Sequence, residues 1–323
     1  MTAPPSNTVD MKRSLATLVL FASLLAGLAA RADEIACAAP RCMDVQVPVP
    51  ADLIVPEAKV RVLLPEGYDA LGSTRYPVLY LLHGAGDSYA TWVENTDVVA
   101  FSADLPVIIV MPDGGDSPDS GWYSDWVDGS RDWESFHIDV LIDYVDATFL
   151  TLGDGHRAVA GLSMGGFGAM SYAGRHPDLF EAAASFSGAV DTRYLTPLSG
   201  IAFELLHEQF GTPDDRVWGD QLTDADTWKE HNPTDLVADL SGIELFVATG
   251  TGTPGGPAGD DLANVGGYAV EAFIFQLNVS FLRALELAGV AYHQDVYLGG
   301  YHGWPYWERE LHWALPQILE VID

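Results

Sequence analysis

A serine between glycines is the feature of this sequence that most directly indicates chemistry. Ser163 lies in residues 161–166, GLSMGG, after a short apolar run and before a segment typical of a helix. Between a strand and a helix, the pattern G-x-S-x-G places the serine on a turn so tight that side chains at the flanking positions would collide. The N–H groups that begin the helix then point towards the reacting centre. The pattern predicts that Ser163 is the nucleophile of an acyl-transfer reaction.

A serine nucleophile needs a base to accept its proton, and nine histidines compete for that role. In proteins with this strand–turn–helix motif, the histidine follows the last strand of the sheet. His302 has that position, in residues 299–303, GGYHG, where the glycines would let the loop fold over the serine. We therefore expect His302 to be the base.

The third member of such a group is an acid that orients the histidine, and the residues alone leave it open. Its usual place is the loop after the penultimate strand, here residues 250–264, which contains Asp260 and Asp261. Local reasoning chooses one of these aspartates. An aspartate pair in a glycine-rich loop is equally well explained as a solvated turn.

A glycine-rich loop after an earlier apolar run predicts an oxyanion hole. Residues 83–86, HGAG, follow residues 76–82, YPVLYLL. Such a loop supplies one backbone N–H to the oxyanion and the residue after the nucleophile supplies the other, so the expected donors are Ala85 and Met164. We expect His83 to orient this loop and to belong to the substrate-binding residues.

The segments around these motifs alternate between strand and helix patterns. Apolar runs and apolar–polar alternation predict strands at residues 60–64, 76–82, 105–111, 157–160, 182–186, 244–249 and 291–297. Helical spacing of apolar residues predicts helices at residues 133–149, 167–175, 265–288 and 304–322. This alternation indicates an α/β protein with a mostly parallel central sheet covered by helices on both faces, as in the α/β-hydrolase fold.

Length and composition favour one catalytic domain and exclude several classes of partner. The chain has 323 residues, of which 48% are hydrophobic, enough for a single large core. Residues 56–323 form the predicted domain, with a cap-like excursion at about 190–235. A formal charge of −31 makes nucleic acid and anionic membrane surfaces poor partners, because their phosphates would be repelled.

The N-terminal residues have the pattern of an export signal. A basic start at residues 11–13 precedes an apolar run that is short for a membrane span and ends at an A-x-A site. We therefore predict that residues 1–32 are removed, with Met11 a better start than Met1, and that the protein is secreted or periplasmic without a stable membrane anchor. Residues 33–55 would form an N-terminal strap. Cys37 and Cys42 could pair in an oxidising compartment.

Several motifs, taken in order, resemble a known family. The matching segments are residues 81–84 (LLHG), 111–115 (MPDGG), 122–126 (WYSDW), 161–166 (GLSMGG), 176–177 (HP) and 302–304 (HGW). Together they resemble the esterase D-like α/β-hydrolases, which include S-formylglutathione hydrolases, feruloyl-type esterases and secreted mycolyltransferases. The resemblance covers about residues 55–315.

The resemblance to the mycolyltransferase branch implies a different acid. That branch has a glutamate near the start of the helix after the penultimate strand, and Glu271 matches it, with nearly the same separation from residues 278–281 and from His302. By this resemblance Glu271 is the acid; the alternative is a surface glutamate on an amphipathic helix. The branch also has an aspartate and an arginine in the oxyanion loop for a sugar acceptor. His83 and Gly86 stand there instead, which favours hydrolysis.

The function expected from these features is a secreted serine esterase acting on a small-molecule, glycan or lipid ester, without a metal or organic cofactor. The aspartates in residues 113–132 lack EF-hand spacing and are explained as a solvated loop. Acyl transfer to a sugar or lipid alcohol is the second hypothesis, and a secreted binding protein that kept the fold but lost catalysis is the third. We count Trp304 among the substrate-binding residues, although it could equally pack the last helix.

Overall fold

The computed structural model describes residues 41–115, 120–153, 155–194 and 214–323. The predicted signal segment, residues 33–40 of the strap, Cys37 and residues 195–213 of the predicted excursion lie outside the described residues. Cys42 lies within them and is disulfide-bonded.

The strands of the described chain are β1 (Cys42–Gln46), β2 (Lys59–Leu63), β3 (Val78–Leu82), β4 (Ile108–Pro112), β5 (Arg157–Leu162), β6 (Ala182–Phe186), β7 (Glu244–Gly250) and β8 (His293–Tyr297). They form one sheet in the order β1-β2-β4-β3-β5-β6-β7-β8. β2 is antiparallel to both of its neighbours, β1 and β4, whereas neighbouring strands from β4 to β8 are parallel. The prediction of a mostly parallel sheet is confirmed.

The helices of the described chain are α1 (Thr91–Asn95), α2 (Val98–Phe101), α3 (Trp133–Ser135, Phe136–Leu141 and Ile142–Thr148, the middle segment π-helical), α4 (Met164–Arg175), α5 (Asp214–Val217), α6 (Ala225–His231), α7 (Val265–Ala288) and α8 (Trp304–Ile322). Apolar side chains of α3, α4 and α7 belong to one core layer, and those of α1, α2 and α8 belong to the other. Helices therefore cover both faces of the sheet, which confirms the α/β-hydrolase fold.

Burial on both faces explains why the central strands have unbroken apolar sequences. Successive side chains of a strand point to opposite faces. In β5, Val159 belongs to the core layer that includes Phe167, whereas Ala158 and Ala160 belong to the layer that includes Leu311. A polar residue in this strand would therefore meet apolar side chains whichever face it occupied.

The parallel register brings the carboxyl ends of four strands to one edge of the sheet. Leu82 at the end of β3 pairs with Gly161 in β5. Leu162 at the end of β5 pairs with Phe186, and Phe186 pairs with Ala248 in β7. The loops that leave these strands therefore meet at the edge where open parallel sheets bind their ligands.

Five short elements of the described chain, β1, α1, α2, α5 and α6, have no counterpart among the predicted ones. β1, at the edge of the sheet, is formed by residues assigned to the N-terminal strap, and Cys42 is its one buried residue. α1 and α2 contain five and four residues, too few for a helical period to be visible in the sequence. In the described part of the predicted excursion, Trp218 is fully buried with its ring centroid 5.2 Å from that of Phe167 in α4.

The long helix α7 combines an apolar sequence with a buried polar face. Among the described helices it is the one whose length and composition would allow it to cross a membrane. Its buried residues include Glu271 and Asn278, and it packs against β7. These contacts are typical of a core helix.

Candidate active site

Ser163 lies on the turn between β5 and α4. Its backbone has φ +52° and ψ −115°, a conformation that costs energy for a residue with a side chain. A Cβ at position 161 would lie 2.4 Å from the carbonyl carbon of Gly165, and one at position 165 would lie 2.5 Å from the Leu82 oxygen. Both flanking positions therefore require glycine, and the turn holds Ser163 at the carboxyl edge of the sheet.

The imidazole of His302 joins Ser163 to Glu271. His302 Nε2 lies 2.9 Å from Ser163 Oγ, and His302 Nδ1 lies 2.8 Å from Glu271 Oε2. Since a carboxylate accepts hydrogen bonds, Nδ1 carries the proton and the lone pair of Nε2 faces the serine hydroxyl. The backbone N–H of His302 donates to the Gly267 oxygen at 3.0 Å and ties the histidine loop to the first turn of α7. In this tautomer the ring can accept the Ser163 proton.

Glu271 is only 1% exposed, yet both oxygens of its carboxylate have hydrogen-bond partners. Oε1 accepts from the Ser187 hydroxyl at 2.7 Å, the Gly250 N–H at 2.8 Å and the Thr249 hydroxyl at 3.2 Å. Oε2 faces His302. Hydrogen bonds to a charged acceptor offset the cost of burying it, so the site can hold an ionised carboxylate behind the imidazole.

The two aspartates in the loop after β7 lie elsewhere. Asp260 is exposed, and its carboxylate accepts a hydrogen bond from the Tyr268 hydroxyl at 2.9 Å. Asp261 is also exposed and accepts from the backbone N–H of the second residue after it at 3.2 Å. Of the three carboxylates considered from the sequence, Glu271 is the one hydrogen-bonded to His302.

The loop after β3 approaches Ser163 closely. A Cβ at position 84 would lie 3.6 Å from Ser163 Cβ and 2.6 Å from the Leu162 side chain, so a larger residue there would displace Leu162. The two predicted oxyanion donors, Ala85 and Met164, directly follow Gly84 and Ser163 in the chain. Met164 is the first residue of α4, and the first N–H groups of a helix have no acceptor within it. This arrangement suits the binding of an anion between the loop and the helix.

His83 is buried under this loop and orients its backbone through hydrogen bonds. Its Nε2 accepts from the Gly114 N–H at 2.8 Å, so Nδ1 is the protonated nitrogen and donates to the Gly84 oxygen, also at 2.8 Å. The Gly84 oxygen and the Ala85 N–H point in opposite directions from one planar peptide, so this bond orients the Ala85 N–H. His83 is 1% exposed and both ring nitrogens are occupied. The expectation that it belongs to the substrate-binding residues is therefore corrected, because burial removes it from contact with a substrate.

Trp304 begins α8 and packs in a cluster of aromatic rings beside the histidine loop. Its ring centroid lies 5.4 Å from that of Trp92 and 5.2 Å from that of Trp307, with the planes at 87° in both pairs. Trp307 in turn stands edge-on to the His302 ring, 5.0 Å away. Trp304 therefore packs α8 against α1, and as a half-buried residue it keeps part of its ring exposed.

A second buried carboxyl, which the sequence analysis did not identify, lies behind Glu271. Glu310 in α8 is fully buried, and its Oε1 accepts from the Tyr297 hydroxyl at 2.6 Å. Tyr297 pairs in the sheet with Gly250, whose N–H donates to Glu271. Burial and then the charge of Glu271 raise the pKa of Glu310 well above its ordinary value. Glu310 therefore keeps its proton far above the pH at which an exposed glutamic acid loses it.

The described residues contain no group of three or more His, Cys, Asp or Glu side chains arranged to hold a metal ion. Among the aspartates considered for calcium, Asp125 accepts from the Ser135 N–H at 3.0 Å and from the Ser135 hydroxyl at 2.5 Å. That pair caps the start of α3. Asp116 and Asp119 lie outside the described residues.

Comparisons with known proteins identify relatives over most of the chain. The model of the esterase family matches residues 54–318. Esterase Rv1288 of Mycobacterium tuberculosis (strain H37Rv) is 35% identical over 252 residues, which make up 75% of this chain and 52% of that protein. The chain thus spans about half the length of this relative.

Other relatives are covered more completely. The diacylglycerol acyltransferase/mycolyltransferase Ag85B of Mycobacterium intracellulare is 30% identical over 268 residues, 78% of this chain and 77% of that protein. Among solved structures, a ferulic acid esterase has a TM-score of 0.63 and 27% identity, covering 88% of this chain and 99% of the other. With its α/β-hydrolase fold and a family match over most of its length, the chain belongs to the esterase family.

Proposed function

We propose that this protein is a serine esterase that hydrolyses carboxylic esters through an acyl-enzyme on Ser163. The observation that carries the proposal is the hydrogen-bonded triad of Ser163, His302 and Glu271, with 2.9 Å and 2.8 Å between the paired atoms. The triad lies beside the Gly84 loop, at the edge of the sheet where ligands of this fold bind. Membership of the esterase family supports the same class of reaction.

In the first half of the proposed reaction, the enzyme is acylated. Ser163 Oγ attacks the ester carbonyl carbon while its proton moves to His302 Nε2. The resulting imidazolium is stabilised by the ionised Glu271 at Nδ1. The tetrahedral intermediate then collapses: the bond to the alcohol oxygen breaks, and His302 Nε2 gives its proton to that oxygen. The alcohol leaves, and the acyl group stays on Ser163.

In the second half, water replaces the alcohol. His302 Nε2 accepts a proton from the water as its oxygen attacks the acyl carbon, and then returns that proton to Ser163 Oγ as the acid is released. In both halves the carbonyl oxygen becomes negative, and the N–H groups of Ala85 and Met164 are the proposed donors to it. Each such donor typically stabilises the transition state by about 3–4 kcal/mol.

The second candidate function is acyl transfer, in which an alcohol takes the place of water in the second half. The relative named diacylglycerol acyltransferase/mycolyltransferase favours it, at 30% identity. Against it, His83 and Gly86 stand where the resemblance places an acceptor-binding aspartate and arginine, and His83 is buried. We therefore favour hydrolysis. The proposed substrate is a small-molecule, glycan or lipid ester.

A further proposal concerns where the reaction takes place. The pattern in residues 11–32 supports export from the cytoplasm, so we propose that the mature enzyme acts outside it. If one residue of the triad were missing, the alternative of a binding protein that has lost catalysis would gain support. Ser163, His302 and Glu271 are all present, which favours an enzyme.

The test is steady-state hydrolysis of p-nitrophenyl esters of increasing acyl length. Wild-type protein should hydrolyse part of the series, and Ser163→Ala should lose at least about 10⁴-fold in kcat. Ser171→Ala, a buried serine later in α4, is the matched control and should keep its activity. Near-wild-type hydrolysis by Ser163→Ala would refute the mechanism. The same assay with an added sugar or glycerol acceptor should yield mainly free acid; mainly acylated acceptor would favour transfer.

A further inference from the structure

A carboxylate that is not part of the proposed catalytic triad lies next to the proposed nucleophile, Ser163. Asp87 is in the loop after β3, and its backbone N–H donates to the Gly84 oxygen at 3.2 Å. Its carboxylate also lies against Gly84, whose backbone N–H acts to lower the pKa of Asp87. A Cβ at position 84 would lie 3.1 Å from Asp87 Oδ2 and 3.6 Å from Ser163 Cβ. The carboxylate and the nucleophile are therefore neighbours across Gly84.

The surroundings of Asp87 leave it charged at neutral pH. It is half-buried, and the charged or titratable groups around it are His83 in its own loop, His302 in the loop before α8 and Glu94 in α1. Burial raises the pKa of Asp87 to about 6, opposed by His83, the Gly84 N–H and His302. The carboxylate is thus negative at pH 7 and becomes neutral as the pH falls through about 6.

We propose that Asp87 is a specificity-determining residue that makes the site disfavour esters with a negative charge close to the scissile carbonyl and favour esters with a positive one. This inference rests on the proposed esterase function. The backbone hydrogen bond from Asp87 to Gly84 holds the residue in place, and partial burial limits the screening of its charge by water. A charge on the substrate close to Ser163 would therefore interact with the fixed negative charge of Asp87, independently of the structure of the rest of the substrate.

The test must separate this local charge from the formal charge of −31 on the whole chain. Asp87→Asn removes the local charge and keeps the size of the side chain and one of its hydrogen-bond-accepting oxygens. Asp239→Asn is the matched control, since it removes one charge from an exposed residue before β7, at the opposite edge of the sheet. Both variants change the net charge of the chain equally.

Three ethyl esters of equal acyl length supply the readout: ethyl butanoate, ethyl hydrogen succinate and ethyl 3-aminopropanoate. Their acyl chains end in a methyl, a carboxylate and an ammonium group. In Asp87→Asn, the kcat/KM ratio of neutral to anionic ester should fall about tenfold from its wild-type value, and the ratio of cationic to neutral ester should fall as well. Asp239→Asn should keep both ratios. Ratios cancel any effect of Asp87 that all esters share, including effects on folding.

The pH dependence gives a second readout. In wild-type enzyme the neutral-to-anionic ratio should rise as the pH increases through about 6, because Asp87 ionises there while the succinate carboxylate is already charged. In Asp87→Asn the ratio should stay flat.

Acetylcholine and its neutral isostere 3,3-dimethylbutyl acetate repeat the comparison on the alcohol side of the ester. A change of ratio in Asp87→Asn on either side supports the inference and shows which side the carboxylate faces. If Asp87→Asn hydrolyses all of these esters with wild-type ratios, the inference is wrong and the proposed esterase function stands. If wild-type protein hydrolyses none of them, nor the p-nitrophenyl esters, both are wrong.

Discussion

Glu271 Oε2 and His302 Nδ1 lie 2.8 Å apart, although the two residues are separated by 31 positions in the sequence. The contact forms because the loop that carries His302 returns to the first turn of α7, where the Gly267 oxygen accepts the His302 N–H. The carboxylate that contacts His302 therefore comes from a helix and not from the loop before it. A glutamate has the length to reach the imidazole from that position, while Ser187 and Gly250 hold its other oxygen.

Glu271→Gln is expected to lower kcat by at least about 100-fold with little change in KM. The amide can offer its NH₂ group to Nδ1, which favours the wrong His302 tautomer, and it carries no charge to stabilise the imidazolium. Kinetics with a p-nitrophenyl ester measure the effect. Asp260→Asn is the matched control and should stay within about twofold of wild type. A greater loss in Asp260→Asn than in Glu271→Gln would show that the acid is misassigned.

Ser187→Ala is expected to reduce kcat about tenfold, because it removes a 2.7 Å hydrogen bond to the buried Glu271 carboxylate. Thr249→Val removes the longer bond of 3.2 Å to the same oxygen and should have a smaller effect. Both variants keep Ser163 and His302, so labelling of the nucleophile at saturation should be retained. Wild-type kcat in Ser187→Ala would mean that this donor does not support the acid.

The pH dependence of stability should change in Glu310→Gln. Because the pKa of Glu310 is raised above its ordinary value of 4.5, the folded state holds a proton that the unfolded chain releases. The stabilisation from this proton is complete below about pH 4.5 and is lost as the pH rises towards the raised pKa, by up to about 1.4 kcal/mol per pH unit. Glutamine has no such dependence.

Urea unfolding of wild type and Glu310→Gln at about pH 5 and about pH 8 checks this prediction. The free energy of unfolding of the variant minus that of wild type should be larger at the higher pH by at least about 1 kcal/mol, because only wild type loses stability as the pH rises. The comparison between the two pH values removes any constant cost of the buried amide. An unchanged difference would contradict a neutral, buried Glu310.

Patterns in the sequence predicted the parts of the fold that continuous apolar segments form. β3, β4 and β6 are buried along their whole length, so burial on both faces left unbroken apolar runs. β1 left no such run, because it lies at the edge of the sheet with four of its five residues outside the core. Ser163 and His302 followed from the same logic, since each lies in a loop that leaves a predicted strand.

The remaining parts of the site depend on contacts that no local pattern contains. The rule of strand order pointed to the loop of Asp260 and Asp261, and the family resemblance was needed to reach Glu271. Ser187 had no usable signal, because its partner Glu271 is 84 positions away. Glu310 left a weak one, an acidic residue on the apolar face of α8, which indicates a buried carboxyl without identifying its neighbours.

The mature protein is expected to begin near Asp33, because a basic start, a short apolar run and an A-x-A site coincide in residues 11–32. Intact-mass measurement of protein recovered outside the cytoplasm of an expressing bacterium checks the position of cleavage. A charged residue placed in the middle of the apolar run should keep the protein in the cell. Recovery of extracellular protein that retains residues 11–32 would contradict the prediction.

The claim that Ser163 is the nucleophile is tested most directly by covalent labelling. Purified protein treated with a fluorophosphonate should gain one adduct, and peptide mapping should place it on Ser163 and not on the nearby Ser187. His302→Ala should slow the labelling by several orders of magnitude, because Ser163 loses the base that accepts its proton. An adduct on another residue, or equally rapid labelling of Ser163→Ala, would contradict the mechanism.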